Sequence, residues 1–315
     1  MREIGGYLCL DTYNMPMRHE GAIALNTGRN CLAYLIEKKK IKKIFLPKFL
    51  CASVGYSCKK LSVEVEYYSV GEDLLPILKN GYDGWIYIVN YYGQLNNKII
   101  QYYKNKYNNI IVDNVQAYFQ EPCIGVDTIY SCRKFLGVTD GAFLYSDLLL
   151  DDSLQKDESW DRVEHILGSF EQGASSFYDR YSCGEEKFEE IPVREMSKLT
   201  RNFLHGIDYS TVEEKRTTNF SYLHKELYRL NKLNLSIPDG PYMYPLYINK
   251  GYQIREKLRQ QHIFIPTLWP DVFNLCREDE LEYDMAKNIL PLPIDQRYGV
   301  SDMEYIVKEL LGCIE

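Results

Sequence analysis

The feature that most constrains the fold is an alternation running from about residue 22 to residue 146. Short runs rich in apolar, β-branched and aromatic residues ("KKIFLP", "VEVEYYSV", "GWIYIVNYYG", "NIIVDNVQA", "DTIYSC", "GAFLYS") are separated by stretches with helical spacing ("AIALNTGRNCLAYLIEKKK", "DLLPILKN", "NKIIQYYKNKY"). A strand that is apolar at nearly every position has to be covered on both faces, and intervening helices supply the cover. The pattern therefore predicts an α/β fold built on a mainly parallel sheet. In such sheets ligands bind beyond the carboxyl ends of the strands, so polar residues that follow strands are the first place to look for chemistry.

Residues 150–235 change character: they are charged, helical in spacing and without strong strand signals. From about 240 the pattern is mixed, with strand-like "YMYPLYI", "IFIPTLW" and "ILPLPID", the helical "YQIREKLRQQH", and a terminal helix in "SDMEYIVKELL". The expected organisation is a large domain over 1–220 and a small α+β domain over 221–315. A chain of 315 residues can bury a large core without staples.

The net charge of −7 argues against nucleic-acid or membrane-surface partners, which need a basic face. The basic run "EKKKIKK" at 37–43 reads as a solvated helix end, where lysines suit the negative end of the dipole. The nine cysteines are odd in number and show no metal-ligand spacing, and the five histidines show none either. No signal-like segment opens the chain, and no apolar run approaches the ~20 residues of a membrane span. These readings predict a cytoplasmic protein with reduced thiols and no bound metal.

Three polar turns carry candidate chemistry. "NTGRN" at 26–30 opens a helix, where exposed N–H groups and the dipole suit a phosphate. Asp113 ends the apolar strand "IIVD", where a carboxylate is costly to bury without a partner. Ser131 and Lys134 follow another strand, and a lysine at the mouth of an apolar site can condense with a carbonyl once desolvation lowers its pKa. Each has a plainer reading: Gly28 as a turn glycine, Arg29 as a solvent-facing arginine, Asp113 as a turn cap, Lys134 as a solvated turn lysine. Together they are the parts that hold pyridoxal 5′-phosphate: an amine for the aldehyde, a carboxylate for the ring nitrogen, and N–H and O–H donors for the phosphate.

The chain resembles the DegT/DnrJ/StrS family of sugar aminotransferases, in a short subgroup. The matching stretches are "LNTGRNCL", "IFLPKFLCASV", "IIVDNVQAYF", "YSCRKFLGVTDGAFLYS", "REMSKLTRNFLHGIDYSTVEEKRTTNF" and "ILPLPIDQRY". The resemblance implies a fold-type-I transferase with a mixed, mainly parallel seven-stranded sheet, pyridoxal phosphate as cofactor, and a homodimer. Lys134 would join the cofactor and move the substrate proton. Asp113 would pair with the ring nitrogen and Gln116 would lie near the ring oxygen. Thr27, Gly28, Arg29 and Ser131 would cradle the phosphate. An amino acid, with glutamate expected, would supply nitrogen to a nucleotide-linked keto-sugar for surface polysaccharide synthesis. The alternatives are a lyase or dehydratase acting on a sugar, and a non-catalytic member that binds a sugar nucleotide.

The chain departs from the family pattern in three places. Only Cys132 and Arg133 separate Ser131 from Lys134. Cys51 stands where many members carry a ring-stacking aromatic, leaving Phe49 or Tyr92 for that part. "IPVREMS" lacks the asparagine that reaches across the dimer, leaving Arg194 as a substitute. Arg297 and Tyr298 are candidates for structural or site-wall roles, and Trp160 and Trp269 could stack on a sugar but are expected in the core.

Overall fold

A computed structural model describes residues 4–188 and 190–314. Its centre is an eight-stranded sheet in the order β1-β8-β7-β6-β5-β2-β3-β4. The strands are β1 (Ile23–Leu25), β2 (Lys43–Pro47), β3 (Glu64–Val70), β4 (Pro76–Ile77), β5 (Trp85–Val89), β6 (Ile110–Asp113), β7 (Asp127–Ser131) and β8 (Ala142–Tyr145). The run β7, β6, β5, β2, β3 is parallel, whereas β8 lies antiparallel between β1 and β7. The eighth strand, one more than expected, is β4. "DLLPILKN" reads as helical, but Pro76 breaks helical bonding, and residues 76–77 pair antiparallel on the open edge of β3.

Helices α1 (Gly28–Lys38), α2 (Ala52–Lys60) and α3 (Asn97–Tyr107) make the crossovers. Ile86, Ile88, Ile111 and Val112 in the middle strands are fully or almost fully buried, each contributing about 1.5–3 kcal/mol of burial. After β8 come α4 (Glu164–Gln172), α5 (Tyr178–Lys187), α6 (Lys198–Leu204) and the long α7 (Tyr209–Leu227), so the expected boundary at 220/221 falls inside a helix. The C-terminal part holds β9 (Tyr244–Tyr247), α8 (Gly251–Gln260), α9 (Val272–Leu275), α10 (Leu281–Asn288), β10 (Ile289–Leu292) and α11 (Val300–Ile314), with β9 and β10 antiparallel. "IFIPTLW" forms no strand: Pro266 interrupts it, and Trp269 turns at φ 59° to pack on Phe49 and Tyr91.

One apolar core runs from the sheet into the C-terminal part. A second, smaller one lies under the Lys134 turn, where Phe135, Leu136 and Val138 are buried with Tyr118, Tyr130 and Phe143. All nine cysteines are free. No helix among the described residues is long and apolar enough to cross a membrane.

Candidate active site

The three polar turns converge because of the sheet register. Leu25 and Ser131 both pair with Ala142 of β8, while Asp113 pairs with Ile129 on one side and Val89 on the other. The carboxyl ends of β1, β7, β6 and β5 therefore share one edge, and α1 starts from it. The chain turns in opposite directions after β2 and β5, so that edge also holds the switch point of the sheet, where clefts form.

Thr27 caps α1 from an extended backbone (φ −144°), its hydroxyl oxygen accepting the Asn30 N–H at 3.1 Å. The Gly28 and Arg29 amides, in the first turn, have no helical acceptor and are available to an anion. The turn is fastened by Asn30, whose side-chain amide donates to Asn26 Oδ1 (2.9 Å) and to the Pro192 carbonyl (2.9 Å). A Cβ on Gly28 would meet Val115 and Ile129 at 3.5 and 3.7 Å, ordinary contacts, so sterics alone do not demand glycine there. Arg29 is half-buried and forms no ion pair among the described residues. Ser131, also half-buried, precedes the turn of Cys132–Lys134 without capping it.

Asp113 is buried. Its Oδ2 accepts the Tyr87 hydroxyl at 2.7 Å and its Oδ1 the Val115 N–H at 2.9 Å. Burial raises its pKa above the ordinary carboxylate value, against the Val115 amide, the Tyr87 hydroxyl and the Lys134 charge, which all favour ionisation.

Lys134 corrects one expectation. Solvent reaches its side chain at that sheet edge, though its surroundings desolvate it in part. Its pKa is raised rather than lowered. The Tyr242 side chain is the largest cause, burial opposes it, Cys51 and Asp113 add to it, and Arg133 opposes it. The ammonium stands 5.5 Å from the centre of the Tyr242 ring. Lys134 and Asp113 thus feel one another's charge, yet no ion pair closes between them.

Gln116 is buried and its Oε1 accepts the Tyr92 N–H at 2.8 Å. An N–H can only be met by the oxygen, so this bond fixes the amide and leaves Nε2 as the free donor. Tyr92 sits at φ 53°, and its buried hydroxyl has no partner. Of the two stacking candidates, Phe49 is packed against Tyr91 and Trp269, with its carbonyl accepting the Tyr91 hydroxyl, and Tyr92 is fully buried. Cys51 is the residue of that loop that reaches the surroundings of Lys134.

Among the other candidates, Arg194 lies 3.6 Å from the Asp157 carboxylate beside the α1 turn. Trp269 packs inside as expected, but Trp160 is 72% exposed, at the start of the polar helical stretch. Arg297 pairs with Asp295 at 2.7 Å, and the Tyr298 carbonyl accepts from Asn219. His19 is a core histidine bonded to Tyr145 and the Tyr118 carbonyl, with burial pushing its pKa down to about 4. No cluster of His, Cys, Asp and Glu among the described residues could hold a metal ion.

Sequence reasoning missed Tyr87, Tyr242 and Arg216. The first two are hidden among 28 tyrosines. The only local signal for Tyr87 is its place on an apolar strand next to the one ending in Asp113.

No protein-family model matches the chain, and no curated protein matches it. Solved structures do. The chain superposes on a DegT DnrJ EryC1 StrS aminotransferase from Brucella abortus with a TM-score of 0.62 at 13% identity, covering 93% of this chain and 86% of that one. It superposes on DesV of S. venezuelae, solved with a ketimine intermediate, with a TM-score of 0.66 at 13% identity, covering 95% and 89%. For the aminotransferase TlmJ from Streptoalloteichus hindustanus the TM-score is 0.66 at 12% identity, covering 96% and 92%. At these identities the likeness establishes the fold: this chain has the architecture of those aminotransferases over nearly its whole length.

Proposed function

We propose that this chain is a pyridoxal 5′-phosphate-dependent aminotransferase that moves an amino group from an amino acid, with glutamate expected, to a nucleotide-linked keto-sugar for surface polysaccharide synthesis. The observation that carries the reading is the meeting of an amine, a buried carboxylate and an open helix N-terminus at one sheet edge, with amine and carboxylate left unpaired. The fold shared with solved aminotransferases supports it.

The residues present fit the cofactor. Asp113 keeps lone pairs free on both oxygens beyond its two bonds, so it can accept a ring N–H. The amides of Gly28 and Arg29, the hydroxyls of Thr27 and Ser131 and the Arg29 guanidinium can take the phosphate. Gln116 Nε2 can donate to the ring oxygen. When bound, the cofactor supplies an electrophilic carbon and a ring that withdraws electrons. Asp113 would then hold a proton on the ring nitrogen, with the Tyr87 hydroxyl and Val115 amide favouring the ionised carboxylate against burial. Lys134, protonated at neutral pH, would have to release that proton for its amine to act on the cofactor's electrophilic carbon. The same amine can afterwards take and return the substrate's α-proton.

The test is direct. The full chain is supplied with pyridoxal phosphate, reduced with borohydride and digested. Mass spectrometry is expected to find the tag on Lys134, and a tag elsewhere would refute the assignment. Glutamate should then yield 2-oxoglutarate, and a panel of nucleotide keto-sugars should reveal the acceptor by its amino product. The non-catalytic alternative draws support from Cys51, which holds the sequence place of a ring-stacking aromatic and lies within electrostatic reach of Lys134; tagging without any 2-oxoglutarate would favour it. Exposed Tyr7, Leu8 and Phe170 support a second copy of the chain as partner, which sedimentation tests. The nine free thiols support a reducing, cytoplasmic setting.

A further inference from the structure

We propose that Arg216 is a positioning residue for Lys134: one buried guanidinium ties the turn that carries the lysine to the segment that carries Tyr242, and so sets amine against phenol ring. The proposal rests on the reading above in taking Lys134 as the reacting amine.

Arg216 projects from α7 and is 1% exposed. Its Nη2 donates to the Phe135 carbonyl at 3.2 Å, its Nη1 to the carbonyls of Pro241 (3.1 Å) and Tyr242 (3.2 Å), and its Nε to Gln296 Oε1 at 2.8 Å. Gln296 returns to the same Phe135 carbonyl through Nε2 at 2.8 Å. The Phe135 ring lies 4.7 Å from the guanidinium carbon. No carboxylate pairs with Arg216 among the described residues; Asp295, whose charge reaches it, is engaged with Arg297. A whole charge is thus buried on neutral oxygens, an arrangement that is costly unless every donor is used. Burial pulls its titration down to about 10, which still leaves it charged at neutral pH. A planar fork can reach carbonyls on two separate segments at once, and a lysine ammonium cannot.

The consequence falls on the neighbours. Phe135 directly follows Lys134, and its N–H donates to the Cys132 carbonyl at 3.0 Å, so the turn is held at both of its ends. Tyr242 is held by its backbone while its ring stays beside the amine. The titratable and charged groups whose charge couples to the Lys134 amine are Tyr242, Cys51, Asp113, Tyr181 and Arg133, contributed by four separate segments and the lysine's own turn.

The experiment uses the cofactor-free full chain and competitive labelling with acetic anhydride across pH, read by mass spectrometry on the Lys134 peptide. In Arg216→Gln the labelling curve of Lys134 should move to lower pH, with a severalfold gain in labelling at mildly alkaline pH, because the Tyr242 contribution is lost. Deleting a nearby cation would by itself move the curve the other way, so the direction is diagnostic. Arg216→Lys should behave like Arg216→Gln. Asn219→Ala, on the same helix, removes bonds to the Ile294 and Tyr298 carbonyls and should leave the curve in place. If Arg216→Gln does not fold, Gln296→Ala loosens the same Phe135 carbonyl and should shift the curve in the same direction. In cofactor-loaded enzyme, kcat should fall on the order of 10²-fold with KM little changed. An unmoved or upward-moved curve in folded variants, or an equal shift in Asn219→Ala, overturns the proposal. Because the labelling needs no cofactor, its result stands apart from whether the chain is an aminotransferase.

Discussion

Replacing Tyr87 with phenylalanine isolates what keeps Asp113 charged. The ring stays, so packing between β5 and β6 is conserved, and only the hydroxyl at 2.7 Å from Oδ2 is lost. A hydrogen bond to a charged group is worth about 1.5–3 kcal/mol, and one to a neutral group about 0.5–1.5. The cost should therefore depend on whether Asp113 is ionised. Burial places its folded pKa above the ordinary value of 3.8, so the native state holds its proton longer than the unfolded chain does. This group's contribution to stability is accordingly greatest below 3.8, declines as pH rises towards the folded pKa, and is flat beyond it. Tyr87→Phe raises the folded pKa further and deepens that decline. The variant should lose about 0.5–1.5 kcal/mol on the acid side of the window and about 1.5–3 kcal/mol at neutral pH. At about 2.1 cal/mol/K per residue, a chain of 315 residues loses roughly 3 °C in Tm for ~2 kcal/mol. The assay is urea and thermal unfolding of cofactor-free wild type and variant at both pH values, repeated on an Asp113→Asn background. Equal costs at the two pH values, or the same pH dependence with Asp113 gone, would refute the reasoning.

Lys134→Ala should abolish the borohydride tag while changing stability by no more than about 0.5 kcal/mol, because the side chain is exposed to the cleft; mass spectrometry and unfolding check both halves. Thr27→Ala should cost about 0.5–2 kcal/mol through the lost α1 cap and weaken pyridoxal phosphate binding measured by titration. Gly251→Ala should be among the most damaging single changes, above ~3 kcal/mol, since its Cβ would lie 2.2 Å from the Asn288 carbonyl oxygen; a folded variant with near-native Tm would contradict this.

The sheet was legible where burial is complete. "WIYIV" and "IIVD" are buried along almost their whole length and leave no helical alternative. It was illegible at the edges, where tertiary context decides: the leucine spacing of "DLLPILKN" imitates a helix, but an unpaired β3 edge captured Pro76–Ile77. Asp113 and Ser131 stood out in the sequence because each ends an apolar strand, and Thr27 and Lys134 because each lies in a polar turn just beyond one. The titration of Lys134 could not, because its largest cause is Tyr242, contributed by a segment far along the chain. Arg216 was unreadable for the same reason: in "EEKRTTNF" it is one more charged helix residue, and only the packed structure turns it inward.

The unpaired state of Lys134 and Asp113 has a physical explanation in those distant residues. Opposite charges in a partly dry cleft attract, and a direct pair would satisfy both, closing the space a ligand needs. Here Asp113 is anchored from the sheet side by Tyr87 and Val115, which hold its oxygens in place. Lys134 is drawn towards Tyr242, whose backbone Arg216 fixes. Each charge is thus stabilised by a partner that points it at the cleft without letting it cross. The cost of that arrangement, a raised carboxylate and a buried unpaired guanidinium, is met during folding, so a ligand meeting both acid and amine would bind without first breaking a salt bridge.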